Sequence, residues 1–222
     1  MIAGPPDMSR ARRWLPVSGA LAAILMVSTA LIAPPPPVAG APAAQVLAYF
    51  AQYHAGLEVE SLNLCLGMVL LLVFAATLHD WLGNTASLTA LVAIAVMAGC
   101  TLLEVAVFQS LAYRPNPDAA RATLLNDLQD FAFQVTTFPA LLFLASSAYA
   151  ILTTRRLPRR AGQAAAIAAA LQVVAWVAFF APSGRFAAGG IPSEIAFAAL
   201  VAWVLGGSAT MLVVGRPATA AT

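Results

Sequence analysis

Lysine is absent from this 222-residue chain: its eleven basic residues are all arginines, and with nine acids they make up only 9% of the sequence. Soluble domains carry about 25% charged residues, so a water-facing surface is excluded for most of the chain. The net charge is +2, and no basic block is interleaved with aromatics, which excludes nucleic acid as a partner. Cysteine and histidine number two each, with no His-Glu-x-x-His and no cysteine pair at metal-binding spacing. Neither a Gly-x-Ser-x-Gly elbow nor a phosphate-cradling loop is present, and the latter would need a lysine. These gaps weigh against an enzyme and imply no cofactor.

What remains is apolar: 61% of the residues are hydrophobic, in continuous Ala- and Leu-rich runs rather than alternating ones. Continuous runs near ~20 residues specify membrane helices and exclude a strand barrel. The expected fold is all-α, a polytopic transmembrane helical bundle forming one membrane domain over 1–222. Six spans are expected at about 14–33, 59–78, 88–111, 128–153, 161–181 and 191–214.

The run at 14–33 follows Arg10, Arg12 and Arg13 and could be read as a signal peptide with Ala41, Pro42 and Ala43 as its cleavage site. It is longer than the ~7–15 residues of such a core and ends ten residues before that site, which favours a retained span. Pro34 to Pro37 should stiffen the connection. Residues 43–58 place Val46, Phe50, Tyr53 and Leu57 at helical spacing, as in an amphipathic helix on the outer surface, with Gly56 bending it into the second span. A second outer segment, 116–126, should start a helix with Asn116 as cap and Pro117 in first position. Gly162, Ala166 and Ala170, four apart, should form a small-residue ridge in the fifth span. Cys65 and Cys100 fall inside spans at different depths, so a disulfide is not expected.

Orientation follows from the arginines. Eight of the eleven fall on one side and three, Arg114, Arg121 and Arg185, on the other, which makes both termini cytoplasmic. Seven of the nine acids fall on the outer side. The expected location is the plasma membrane, as a multi-pass protein of a bacterial inner membrane.

The candidate polar site lies at that acidic end. Glu104 is the one ionisable residue expected within the hydrocarbon, two turns below the outer surface and level with Asn63. A charge at a span centre costs about 2.5–3.5 kcal/mol, so Glu104 should face the bundle, hydrogen-bonded or protonated, as a proton or cation site or as a polar staple. Asp127, Asp130, Gln134 and Thr137 stack on one helical face at spacings of three, four and three. Asp127 and Asp130 can be explained as the solvated first turn of a helix capped by Asn126, while Gln134 and Thr137 carry the face inward. Pro139 should act as a hinge, freeing the carbonyl of Val135. Gln172 and Trp176, one turn apart, suit an interhelical polar contact and a packing aromatic. His54 and Glu58, four apart, are weak metal candidates without further ligands, so no metal is expected.

Tyr49 to His54, Asp127 with Asp130, and the turn Leu157, Pro158, Arg159, Arg160 and Gly162 give the chain a resemblance. It resembles uncharacterised multi-span integral membrane proteins of actinobacteria over about 43–214. In that group the position of Arg160 is usually aromatic. The resemblance implies an integral plasma-membrane protein and carries over no functional residue. The expected function is a non-enzymatic binding or accessory protein, holding a lipid, small ligand or partner subunit at an acidic outer-leaflet face. The alternative is a small proton- or cation-coupled transporter using Glu104, and a membrane enzyme comes third.

Overall fold

The computed structural model describes residues 14–113, 118–181 and 183–214. Asp7, Arg10, Arg12, Arg13, Arg114, Asn116, Pro117 and Arg216, on which part of the charge and capping argument rests, lie outside them. All regular structure among the described residues is helical. The elements are α1 (Val17–Ile32), α2 (Ala43–Leu82), α3 (Thr85–Ala112), α4 (Ala119–Val135), α5 (Thr137–Thr154), α6 (Arg159–Ala175) and α7 (Ile191–Val214), with a 3-10 turn at Trp176–Phe180 continuing α6. With α4 and α5 taken together, five helices are long and apolar enough to cross a membrane, and α1 is a shorter apolar helix of 16 residues.

The helices close into a ring. α1 packs on α2, α2 on α3, α3 on α5, α5 on α6, α6 on α7, and α7 returns to α1. Every one of these helices turns large apolar side chains outward, among them Ile24, Val69, Val92, Leu142, Ile167 and Leu205. Such an exterior suits contact with a lipid bilayer and would aggregate in water. Inside, Phe143 meets Trp203 edge-on at 5.3 Å and Phe74 meets Trp203 at 6.2 Å, closing one end of the ring with a packed aromatic core.

The other end differs from the sequence expectation. α2 is a single 40-residue helix, without the bend at Gly56 and without a separate surface segment at 43–58. Gly56 serves close approach instead: a Cβ there would lie 3.1 Å from Ile32 Cγ2 of α1. At 1.5 Å per residue α2 is about 60 Å long, twice the ~30 Å of hydrocarbon, so its first half projects beyond it. There Val46, Phe50 and Leu57 bury against Phe108, Leu111 and Ala122 of α3 and α4, forming a second small core. The apolar periodicity at 43–58 therefore faces protein rather than headgroups.

α4 also begins elsewhere. Its cap is Asp118, whose carboxylate accepts the Arg121 N–H at 2.9 Å, rather than Asn116. Asn126 sits in mid-helix, fully buried, and is neither cap nor joint. The change of helix occurs at Thr136, whose N–H turns to Phe133 O at 3.1 Å while its backbone stays helical. Pro139 has no N–H to give the Val135 carbonyl, and the Thr136 and Thr137 hydroxyls donate back to Phe133 O and Gln134 O. A missing donor and two competing hydroxyls loosen the ladder at this one place.

The arginine end is tightly clasped. Asn84 and Ser87 form a capping box at the start of α3, and Arg156 Nη1 donates to Trp81 O at 2.8 Å near the end of α2. A cation there complements the helix dipole. On α6 the buried small residues are Gly162, Ala165, Ala168, Ala169 and Ala175, among which Gly162, Ala165 and Ala169 form the ridge, whereas Ala166 and Ala170 face outward. The ridge thus follows a three-then-four step rather than the expected run of fours. Gly162 is needed there, since a Cβ would stand 2.8 Å from Leu152 Cγ on α5.

Candidate functional site

The strap at 34–41, joining α1 to α2, crosses the acidic end of the ring. Four prolines cannot supply N–H groups to a helix, so this strap depends on partners for its position. α4 provides them. Asn126 Nδ2 donates to Pro37 O at 2.9 Å, and the Gly40 N–H donates to Asp127 Oδ1 at 2.8 Å. The Tyr49 hydroxyl donates to Pro34 O at 2.8 Å, and the Ala39 N–H reaches Ala188 O in the loop before α7. That loop brings Gly189, at φ +76°, directly onto Asp130: a Cβ there would lie 2.7 Å from Oδ1. Both the left-handed backbone and the close approach require glycine at this position.

Beneath the strap lies a cavity of about 380 Å³, walled by α1, α2, α3, α4 and α7. Its polar wall consists of Glu60, Glu104, Gln129 and Asp130, with Glu194 exposed at the rim. Its apolar wall includes Met26, Met68 and Met97, one from each of α1 to α3, together with Phe133, Phe197 and Leu200. Glu104 is 8% exposed and Asp130 1% exposed. The acids form a chain of electrostatic neighbours, Glu60 with Glu104 and Glu104 with Asp130, and the Gln129 side chain reaches Glu104. Gln129 itself is 6% exposed, and its Oε1 has no hydrogen-bond donor.

The structure therefore divides the predicted site residues into three groups. Glu104 and Asp130 meet in the cavity. Asp130 is buried there rather than solvated, because the strap and the Gly189 loop cover it where the sequence suggested open water. Asp127 is half-buried and faces the strap. Asn63 does not face Glu104: its amide donates to Ser28 Oγ of α1 at 3.0 Å.

Gln134 and Thr137 also turn away from the cavity, to the junction of α6 and α7. Gln134 Nε2 donates to Ala175 O at 2.8 Å, and the Ser193 hydroxyl donates to Gln134 Oε1. The Trp176 indole donates to Thr137 Oγ1 at 3.2 Å and stacks on Phe138 at 4.7 Å. Nearby, Gln172 Nε2 donates to Ala196 O at 2.7 Å. Pro139 is buried at the top of α5, three residues past the Thr136 joint, and Thr136 itself lines the cavity.

Three residues of the wall were missed in the sequence: Glu60, Gln129 and Glu194. A signal for Glu60 existed. Counting back from Leu71 through Met68 and Leu64 on the buried face of α2 reaches position 60, whereas Asn63 lies off that line. Gln129 carried only its proximity to Asp130, and Glu194 looked like an ordinary first-turn acid.

His54 Nε2 lies 4.0 Å from Glu58 Oε1, both side chains more than half exposed, and no third ligand joins them. Among the described residues no three His, Cys, Asp or Glu side chains are arranged to hold a metal ion. Cys65 and Cys100 are free. No known protein family, no curated protein and no solved structure matches the chain.

Proposed function

We propose that this is a six-span plasma-membrane binding protein, with both termini cytoplasmic, that holds a small amphipathic molecule at its outer end. The observation that carries this reading is the cavity itself. It joins an apolar, methionine-rich wall to a few convergent buried polar groups, one of which, Gln129 Oε1, is without a partner. Small-molecule sites have this composition, with volumes of roughly 300–1,000 Å³. Methionines from three helices give a wall that adapts its shape to a guest. Assignment as the sixth span rests on α1, whose Ala22, Ala23 and Met26 are buried within the ring. A bilayer thinned around its 16 residues would let it cross.

Ala30 lines the cavity from α1 and is exposed to it, so Ala30→Trp should fill the space without disturbing buried neighbours. Native mass spectrometry of the protein released from its membrane is expected to show a retained small molecule or lipid in the wild type, reduced at least tenfold in Ala30→Trp. Equal retention in both would remove the cavity as the binding site.

A second reading, proton- or cation-coupled transport, is favoured by one observation: the Thr136 joint lies in the wall of the cavity that Glu104 also lines. It requires that a pH gradient drive uptake into proteoliposomes and that Glu104→Gln abolish it. Unchanged flux in that variant would leave binding as the only role of the site.

A further inference from the structure

We infer that the ligand of this cavity is an organic cation, a protonated amine carried on an apolar body. The inference rests on the reading of the cavity as a binding site and adds the chemistry of its guest. Its basis is a one-sided wall. Glu60, Glu104 and Asp130 line the cavity with Glu194 at the rim, and among the described residues no arginine or histidine lines it. Among the described residues the ion pairs are His54–Glu58 and Arg121–Asp118, both away from the cavity. Buried carboxyl groups are normally paired with a base or neutralised, and among the described residues none supplies a base to this wall.

The hydrogen-bonding capacity of the wall points the same way, independently of charge. Gln129 Oε1 is buried and lacks a donor. Three threonines line the cavity, and two of their hydroxyls are already committed, Thr29 donating to Met26 O at 2.7 Å and Thr136 to Phe133 O at 2.6 Å, while among the described residues no such bond ties Thr101 of α3. Thr101 apart, the wall offers acceptors rather than free hydroxyl donors. A guest that brings N–H donors satisfies it, whereas an anion would meet carboxylates.

A bare metal ion does not fit this arrangement. Hard cations need several oxygens converging on one point, and no such group of acids exists among the described residues. The charge must therefore arrive on a frame that also fills the apolar wall of Met26, Met68, Met97, Phe133, Phe197 and Leu200. A protonated primary, secondary or tertiary amine brings N–H donors for the carboxyl oxygens of Glu60, Glu104 and Asp130, which a quaternary ammonium lacks.

Three probes with one body and different heads test this: 4-phenylbutylamine, 4-phenylbutan-1-ol and 4-phenylbutyrate. Each is titrated by calorimetry into full-length protein in zwitterionic nanodiscs, with empty nanodiscs and Ala30→Trp as blanks. The amine is expected to bind at least tenfold more tightly than the alcohol, and the carboxylate to give no saturable signal. Glu104→Gln and, independently, the half-buried Glu60→Gln should weaken the amine severalfold more than the alcohol. Alcohol binding as tight as the amine, abolished by Ala30→Trp, would overturn the cationic guest while leaving the cavity as a binding site. If all three probes behave in the wild type as in Ala30→Trp, the binding site itself is lost and this inference with it. The wild-type comparison decides the matter even if a variant fails to fold.

Discussion

Phe143→Ala is expected to lower the unfolding free energy of the detergent-solubilised protein by about 3–5 kcal/mol. The ring is fully buried and packs edge-on against Trp203, which also holds Phe74. Water is not the competing solvent inside a membrane, so the loss comes chiefly from dispersion contacts and from the void left between three helices. Neighbouring helices cannot fill it, because Phe74 is itself pinned on Gly19, where a Cβ would meet the ring at 2.5 Å. A denaturant titration followed by tryptophan fluorescence measures the effect, with Phe186→Ala as control, since that side chain is 59% exposed. A loss below about 1 kcal/mol would mean that the aromatic end of the ring is not packed as described.

The second large effect is expected at Gln134. One side chain joins three elements, donating to Ala175 O at the end of α6 and accepting from Ser193 at the start of α7. Gln134→Leu keeps the volume and removes both bonds, leaving a buried hydroxyl and a helix-end carbonyl unpaired. Unsatisfied buried groups cost about 1–3 kcal/mol each, and interhelical bonds in membranes fall towards the lower part of that range. A loss of about 2–3 kcal/mol is therefore expected in the same titration. Ser193→Ala, which breaks one of the two bonds, should cost about 1 kcal/mol. Were the two variants equally mild, Gln134 would not be the fastening point between these helices.

The helical class and the antiparallel run of apolar elements could be read directly, because span length and low charge are properties of consecutive residues. Boundaries that depend on tertiary partners could not. Residues 43–58 have the same apolar spacing whether they meet headgroups or the ends of α3 and α4, so the projecting half of α2 looked like a surface helix. Asp130 looked solvated because its helix-start context suggested water, and nothing local reveals that a loop some sixty residues later brings Gly189 onto it. Glu104 was found because a carboxylate in an apolar run is conspicuous by itself. Its partners were not, since choosing Asn63 over Glu60 depends on helix rotation, which a few residues of sequence leave open.

The ring closes through α1 and α7, and their contact is specific: Ser208 of α7 donates to Pro16 O and accepts the Ala20 N–H at 3.1 Å. The same two helices supply adjoining walls of the cavity, through Met26 and Ala30 of α1 and Phe197 and Leu200 of α7. During biosynthesis α1 is made long before α7 has been translated. Until then the strap has no Gly189 loop beneath it, and the carboxyl groups of α2, α3 and α4 stand beside an open seam. The cavity is accordingly the last part of the protein to be completed, and a chain stalled before α7 would carry an unsealed acidic cleft.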